Sequence, residues 1–190
     1  RVALIAGEPG IGKTRLAECL AANAAERGAN VIWGRCWEGE GAPAFWPWVQ
    51  VFRTCLGQSN ASTLSARLGQ GAPYVAQMVP EVRELLPDVP LAPAVDSEQA
   101  RFKLCDACTT FVKRMGGDAP LVLLLDDLHW ADRSSLFLLQ FLAREIADAP
   151  VLLVGTYRDV EVSRDHPLAD VLPRLRRAPS WCSPTGPATT

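Results

Sequence analysis

A doubly wound α/β fold, a parallel sheet flanked by helices, is predicted by three features of this 190-residue sequence. The first is an apolar, strand-like run at residues 2–6 that leads directly into Gly7, Glu8, Pro9, Gly10, Ile11, Gly12, Lys13 and Thr14. Those eight residues spell G-x-x-x-x-G-K-[ST], the phosphate-binding loop that joins a strand to a helix. From average composition, chance produces this pattern in a chain of such length on the order of 1 % of the time. The second is the unbroken apolar run 121–125, which ends in Asp126 and Asp127. Such a run suits a parallel strand covered on both faces. The third is the alternation of strand-like and helix-like stretches with no tight hairpin signal. Together they predict a P-loop NTPase core over residues 1–177.

Each element follows from local pattern. Residues 13–27 read as a helix, because Leu16, Ala17, Leu20, Ala21 and Ala24 share one face and Gly28 stops it. A second strand is expected at 30–36. The aromatic stretch 45–52 opens a helix with Pro47 tolerated in its first turn, and its rings are expected in the core rather than on a base-stacking surface. Several prolines and short apolar patches at about 57–96 predict an insertion of short helices and loops. Ser97 opens a long helix, 98–115, with Gly116-Gly117 as its stop. The strand 121–125 follows, then a helix 133–147 capped by Asp132. A fourth strand, 151–154, leads into Gly155, Thr156, Tyr157 and Arg158, and a last helix spans 167–177. Residues 178–190, rich in proline and without apolar periodicity, are expected to be a disordered tail.

Composition limits the function classes. A chain 48 % hydrophobic and 21 % charged is ordinary for a globular protein. No apolar run approaches the length of a membrane span and no signal-peptide pattern opens the chain, so a cytoplasmic, membrane-free protein is expected. A formal net charge of -2 gives no footprint for nucleic acid. Six cysteines in a phosphate-loop chain are expected to be reduced. Cys105 and Cys108 form a single C-x-x-C without a second ligand pair, which favours two helix-face thiols over zinc.

The chemistry concentrates at strand ends. In the loop, backbone N–H groups at a helix N-terminus would curl around phosphates, Lys13 would reach the β and γ phosphates, and the Thr14 hydroxyl would ligate Mg²⁺. Lysine is scarce in a chain dominated by arginine, which sharpens the significance of Lys13. Asp126 would hold Mg²⁺ through water, and Asp127 would polarise the attacking water. The competing reading makes the pair a solvated strand end. Thr156 and Arg158 leave the fourth strand at the same edge, where an arginine could contact the γ-phosphate. Its plainer alternative is a surface ion pair with Asp159 or Glu161.

The blocks 7–14, 126–132 (Asp-Asp-Leu-His-Trp-Ala-Asp) and 155–159 (Gly-Thr-Tyr-Arg-Asp) resemble the ATPase module of the AAA-like signal-transduction ATPases with numerous domains, found in large LuxR-type transcriptional regulators. Residues 97–102 and 166–170 are also similar to this group. The resemblance implies ATP and Mg²⁺ as cofactors, Lys13 and Thr14 as phosphate and metal contacts, and Asp126-Asp127 as the acidic pair. It makes Arg158 the nucleotide-sensing arginine. It also implies a sensor strand lying between the phosphate-loop strand and the acidic strand. His129 and Trp130 match the family wording without a catalytic role, Trp130 being expected to pack under the site. Relative to the family, the chain is expected to lack the element before the first strand, the fifth strand, the helical lid, the winged helix and an output domain.

The leading functional expectation is Mg-ATP binding and slow ATP hydrolysis as a nucleotide-dependent regulatory switch module, a fragment of a multidomain bacterial signalling or transcriptional regulator. Its partners would be the nucleotide, the parent's C-terminal output domains and a nucleotide-dependent homo-oligomer, with hydrolysis assigned to the intact parent. A P-loop small-molecule or nucleoside kinase and a non-hydrolysing scaffold are the alternatives.

Overall fold

The computed structural model describes residues 1–39, 41–93 and 97–182. Four strands, β1 (Val2–Ala6), β2 (Asn30–Arg35), β3 (Leu121–Asp126) and β4 (Val151–Tyr157), form one sheet in the order β1-β4-β3-β2. Every pairing is parallel. β4 therefore lies between the phosphate-loop strand and the acidic strand, as the family resemblance implied. The register aligns the carboxyl ends, with Ala6 opposite Tyr157 and Arg35 opposite Asp126. In such sheets ligands bind beyond the carboxyl ends of the strands.

β3 is buried at all six residues, as its unbroken apolar run predicts. Alternation divides it between two cores. Leu121, Leu123 and Leu125 face a thick helical layer, whereas Val122 and Leu124 join Val154 and Ala17 beneath α1 (Lys13–Glu26). The thick layer contains α2 (Trp46–Gly57), α3 (Ala61–Leu68), α4 (Ala72–Met78) and α5 (Val82–Leu85), then α6 (Ser97–Asp118), α7 (Arg133–Glu145) and α8 (Pro167–Arg176). Phe52 of α2 stacks on Phe111 of α6 with ring centroids 5.0 Å apart, and the Trp48 indole N–H donates to the Ser135 carbonyl at 3.0 Å. The aromatic run after residue 45 thus supplies the core, as expected.

Three departures from the sequence expectation exceed two residues. β4 runs three residues beyond the predicted 151–154, because Gly155, Thr156 and Tyr157 continue the ladder with β1 although they interrupt the apolar run. α6 does not stop at Gly116-Gly117. Gly116 instead lies against the start of β4, where an added Cβ would sit 2.8 Å from Val151 Cγ2. That glycine serves close approach, not termination. Of the expected disordered tail, residues 178–182 run beside β1: the Val2 N–H donates to the Ser180 carbonyl and the Cys182 N–H to the Val2 carbonyl, each at 2.8 Å. Residues 183–190 lie outside the described residues.

Cys105 and Cys108 are buried free thiols, and burial pushes the Cys105 thiol up to about 12. No cluster able to hold a metal through three His, Cys, Asp or Glu side chains occurs among the described residues. No described helix is long and apolar enough to cross a membrane.

Candidate functional site at the carboxyl edge of the sheet

The loop after β1 turns into α1 through Gly10 and Gly12, whose φ values of 77° and 98° lie in the left-handed region. An added Cβ at either would meet nothing within 4 Å, so these glycines serve the backbone turn and leave the space in front of it open. Gly12 is the N-cap of α1, so no side chain caps the helix, and its first turn carries no acid. The first N–H groups of a helix have no intrahelical acceptor, and here they face the loop unscreened by any carboxylate of that turn. Lys13 is buried along its stem, and its ammonium donates to the Gly7 and Glu8 carbonyls at 2.9 and 2.8 Å. The lysine therefore holds the loop in shape from within.

Asp126 ends β3 with a carboxylate only 2 % exposed. A charge so buried needs partners, and three elements supply them. The Thr156 hydroxyl donates to Oδ1 at 2.6 Å, the Thr14 hydroxyl to the same oxygen at 3.3 Å, and Arg35 at the end of β2 reaches Oδ2 at 3.3 Å. Thr156 also accepts the Asp127 N–H at 3.0 Å. One hydroxyl thus ties β4 to both acids. Asp127 itself adopts φ 60°, ψ 48°. This left-handed conformation is one that Asp tolerates better than most residues, and it turns the chain sharply out of β3 into the short turn Leu128–Trp130.

A second group lies beside the first. Arg158 leaves β4 and pairs with Glu161 at 2.7 Å. Of the two acids weighed as partners from the sequence, Glu161 is the one that the short turn Asp159–Glu161 brings round, while Asp159 accepts the Val160 N–H. The buried His129 imidazole accepts the Arg158 N–H through Nδ1 at 3.4 Å, so the proton of the neutral ring sits on Nε2. Nε2 has no hydrogen-bond partner and stands 3.5 Å from Glu161 and 4.0 Å from Asp127. His166, the N-cap of α8, accepts the Leu168 N–H through Nδ1 and bonds the His129 carbonyl through Nε2 at 2.9 Å. Trp130 does not pack under the site. It is 38 % exposed, because the short turn aims it outward with its ring tilted against His129.

Burial holds the His129 imidazole below its ordinary range, against the opposing pull of Glu161 and Asp127. A depressed histidine adds stability that is fully present above the unfolded value of about 6.5 and is lost as pH falls through the lower folded value. Melting temperature is therefore expected to rise more steeply from about pH 5 to 7 in the parent than in His129→Gln. Parallel Tm profiles for the two proteins would show that His129 is not held neutral.

The sequence singled out Gly7 to Thr14, Asp126, Asp127 and Arg158, and all of them lie at this edge. Arg35 was missed, although as the one charged residue within the predicted strand 30–36, next to its end, it carried a signal. An open cleft of about 480 Å³ lies between Thr14, Asp126 and Asp127 on one side and Arg35, Trp37 and Glu38 on the other. The donor set, one hydroxyl and carboxylate oxygens beside an uncapped helix N-terminus, is of the hard-oxygen kind that suits a phosphate group and Mg²⁺.

Residues 1–154 match the family model of the AAA ATPase domain. The chain belongs to that family. No curated protein matches the chain. AAA ATPase domains bind and hydrolyse nucleotide, typically with Mg²⁺, and the match contains the glycine-rich loop and both acids. Thr156 and Arg158 lie just beyond the matched span.

Proposed function

We propose that this AAA ATPase domain binds Mg-ATP at the carboxyl edge of its sheet, hydrolyses it slowly, and acts as a nucleotide-dependent switch module of a multidomain cytoplasmic bacterial regulator. The observation that carries the reading is the Thr156 hydroxyl, which joins the buried Asp126 carboxylate to the Asp127 backbone and so couples the strand leading to Arg158 with the acidic pair.

In this reading Lys13 exchanges the Gly7 and Glu8 carbonyls for the β and γ phosphate oxygens, and the N–H groups of residues 10 to 14 surround the same phosphates. Thr14 and Asp126 would hold Mg²⁺, which would supply charge neutralisation for the bound polyphosphate. Asp127 orients a water and takes its proton as the water oxygen bonds to the γ phosphorus and the bond to the bridging oxygen breaks, leaving ADP and phosphate. Arg158 stabilises charge on the transferred group. To do so it must loosen its hold on Glu161, so that γ-phosphate occupancy is translated into movement of residues 158–161. This coupling favours a switch over a fast catalyst. Output domains of the parent, or a second copy of the module, would read that movement.

Asp127→Asn is expected to keep Mg-ATP affinity within about threefold while lowering single-turnover phosphate release by about 10²-fold or more. Unchanged release by Asp127→Asn would remove the acid from the mechanism. Appearance of a phosphorylated small-molecule acceptor in place of free phosphate would replace the ATPase reading with a kinase.

A further inference from the structure

We propose that Arg35 is a built-in counter-ion that occupies the metal side of Asp126 when no nucleotide is bound, so that a divalent cation enters this site only together with a polyphosphate. The proposal rests on the reading of Asp126 as the metal-holding carboxylate. Both oxygens of that buried group are already engaged: Oδ1 by Thr156 and Thr14, Oδ2 by the Arg35 guanidinium at 3.3 Å. A cation arriving at Oδ2 finds a positive group in place. Two cations within a few ångströms of each other repel strongly. A bare metal ion must therefore displace Arg35 unaided, whereas a metal bound to a triphosphate arrives with its charge already neutralised.

The local architecture lets the guanidinium leave without disturbing the fold. The Arg35 side chain is 64 % exposed, so its departure unpacks no core. Its backbone is held separately, because the Gln50 side chain of α2 accepts the Arg35 N–H at 3.2 Å and donates to the Arg35 carbonyl at 2.8 Å. Arg35 also forms the wall between two clefts. On one side lies the space beside Asp126; on the other lies a smaller cleft of about 290 Å³ that includes Trp33 and Glu18. The Glu18 carboxylate is half-exposed and pairs with Arg15 one turn earlier on α1. Glu18 lines that second cleft together with Arg35, so the displaced guanidinium has open space that holds an acid on that side.

Mn²⁺ binding to the nucleotide-free chain tests this, with uncomplexed Mn²⁺ measured by electron paramagnetic resonance. The parent is expected to take up Mn²⁺ weakly, Arg35→Gln about tenfold more tightly, and Arg35→Lys within about twofold of the parent, since lysine keeps the charge. Circular dichroism should be unchanged, because the Gln50 clamp involves only the Arg35 backbone. Arg35→Gln binding no tighter than the parent, or Arg35→Lys binding as tightly as Arg35→Gln, overturns the counter-ion role. Asp126→Asn added to Arg35→Gln is expected to restore weak binding. If Mn²⁺ still binds tightly in that double variant, the reading of Asp126 on which the proposal rests is wrong.

Discussion

Lys13→Ala is expected to weaken Mg-ATP binding by about 100-fold to 1000-fold. A charge-assisted hydrogen bond contributes about 1.5–3 kcal/mol, and two such bonds from one ammonium to the β and γ phosphates reach that range of affinity. The ammonium is already positioned, since its contacts with the Gly7 and Glu8 carbonyls hold it inside the loop curve. In the proposed reading, binding exchanges these two carbonyl acceptors for phosphate oxygens. The same contacts make the substitution mildly destabilising, because the loop loses an internal tie. Calorimetric titration beside a thermal melt separates the two effects: Tm should change by a few degrees at most while affinity falls by orders of magnitude. Equal affinity in the variant and the parent would show that Lys13 does not contact phosphate.

Gly34→Ala is expected to have the largest effect on stability among single-methyl changes near the site. Gly34 stands where β2 meets the first turn of α2, and an added Cβ would lie 2.3 Å from the Pro47 carbonyl oxygen and 3.0 Å from its carbon. Both are backbone atoms of a helix held by Trp48 and Phe52 in the core, so no side-chain rotation relieves the clash. Overpacking of this kind costs about 2–3 kcal/mol, which for a chain of this size lowers Tm by roughly 4–12 °C. The displacement would also pull Gln50 away from Arg35, the residue next to Gly34. Scanning calorimetry checks the prediction, and a Tm within about 1 °C of the parent would contradict the close approach of α2 to β2.

The parts of the fold that were legible in the sequence depend on local pattern. The phosphate loop fixes β1 and the start of α1 because one run of residues specifies strand, turn and helix together. The apolar run 121–125 identifies a doubly covered strand because no half-exposed strand tolerates such a sequence. Strand order was not local, since parallel neighbours are joined by long crossovers. Family resemblance, not periodicity, supplied the place of β4. β4 itself was read three residues short because Gly155 and Thr156 break apolarity while their backbones stay in the ladder. Gly116-Gly117 was read as a stop because glycine usually ends helices, whereas here Gly116 permits contact with β4.

At the site, the residues on the motif strands could be identified and those that complete their coordination could not. Asp126 was evident, yet its partner Arg35 lies 91 positions away and becomes its neighbour only through the β2–β3 register. Thr156 was noted as a polar group at the right edge, but its bridging of two acids depends on the exact rise of β4 beside β3. Glu161 was weighed as the plain partner of Arg158, and the structure makes that ion pair real. In the proposed reading, that pair is the state from which a phosphate would draw the arginine.

Calorimetric titration of the whole chain with ATP, in the presence and absence of Mg²⁺, tests for one Mg-dependent triphosphate site formed by Lys13, Thr14 and Asp126. The expected result is a single saturable site, at least about tenfold tighter with Mg²⁺ than with chelator, and no detectable binding of adenosine. Binding that is unaffected by Mg²⁺, or adenosine binding as tightly as ATP, would contradict a phosphate-centred site at the carboxyl edge of the sheet.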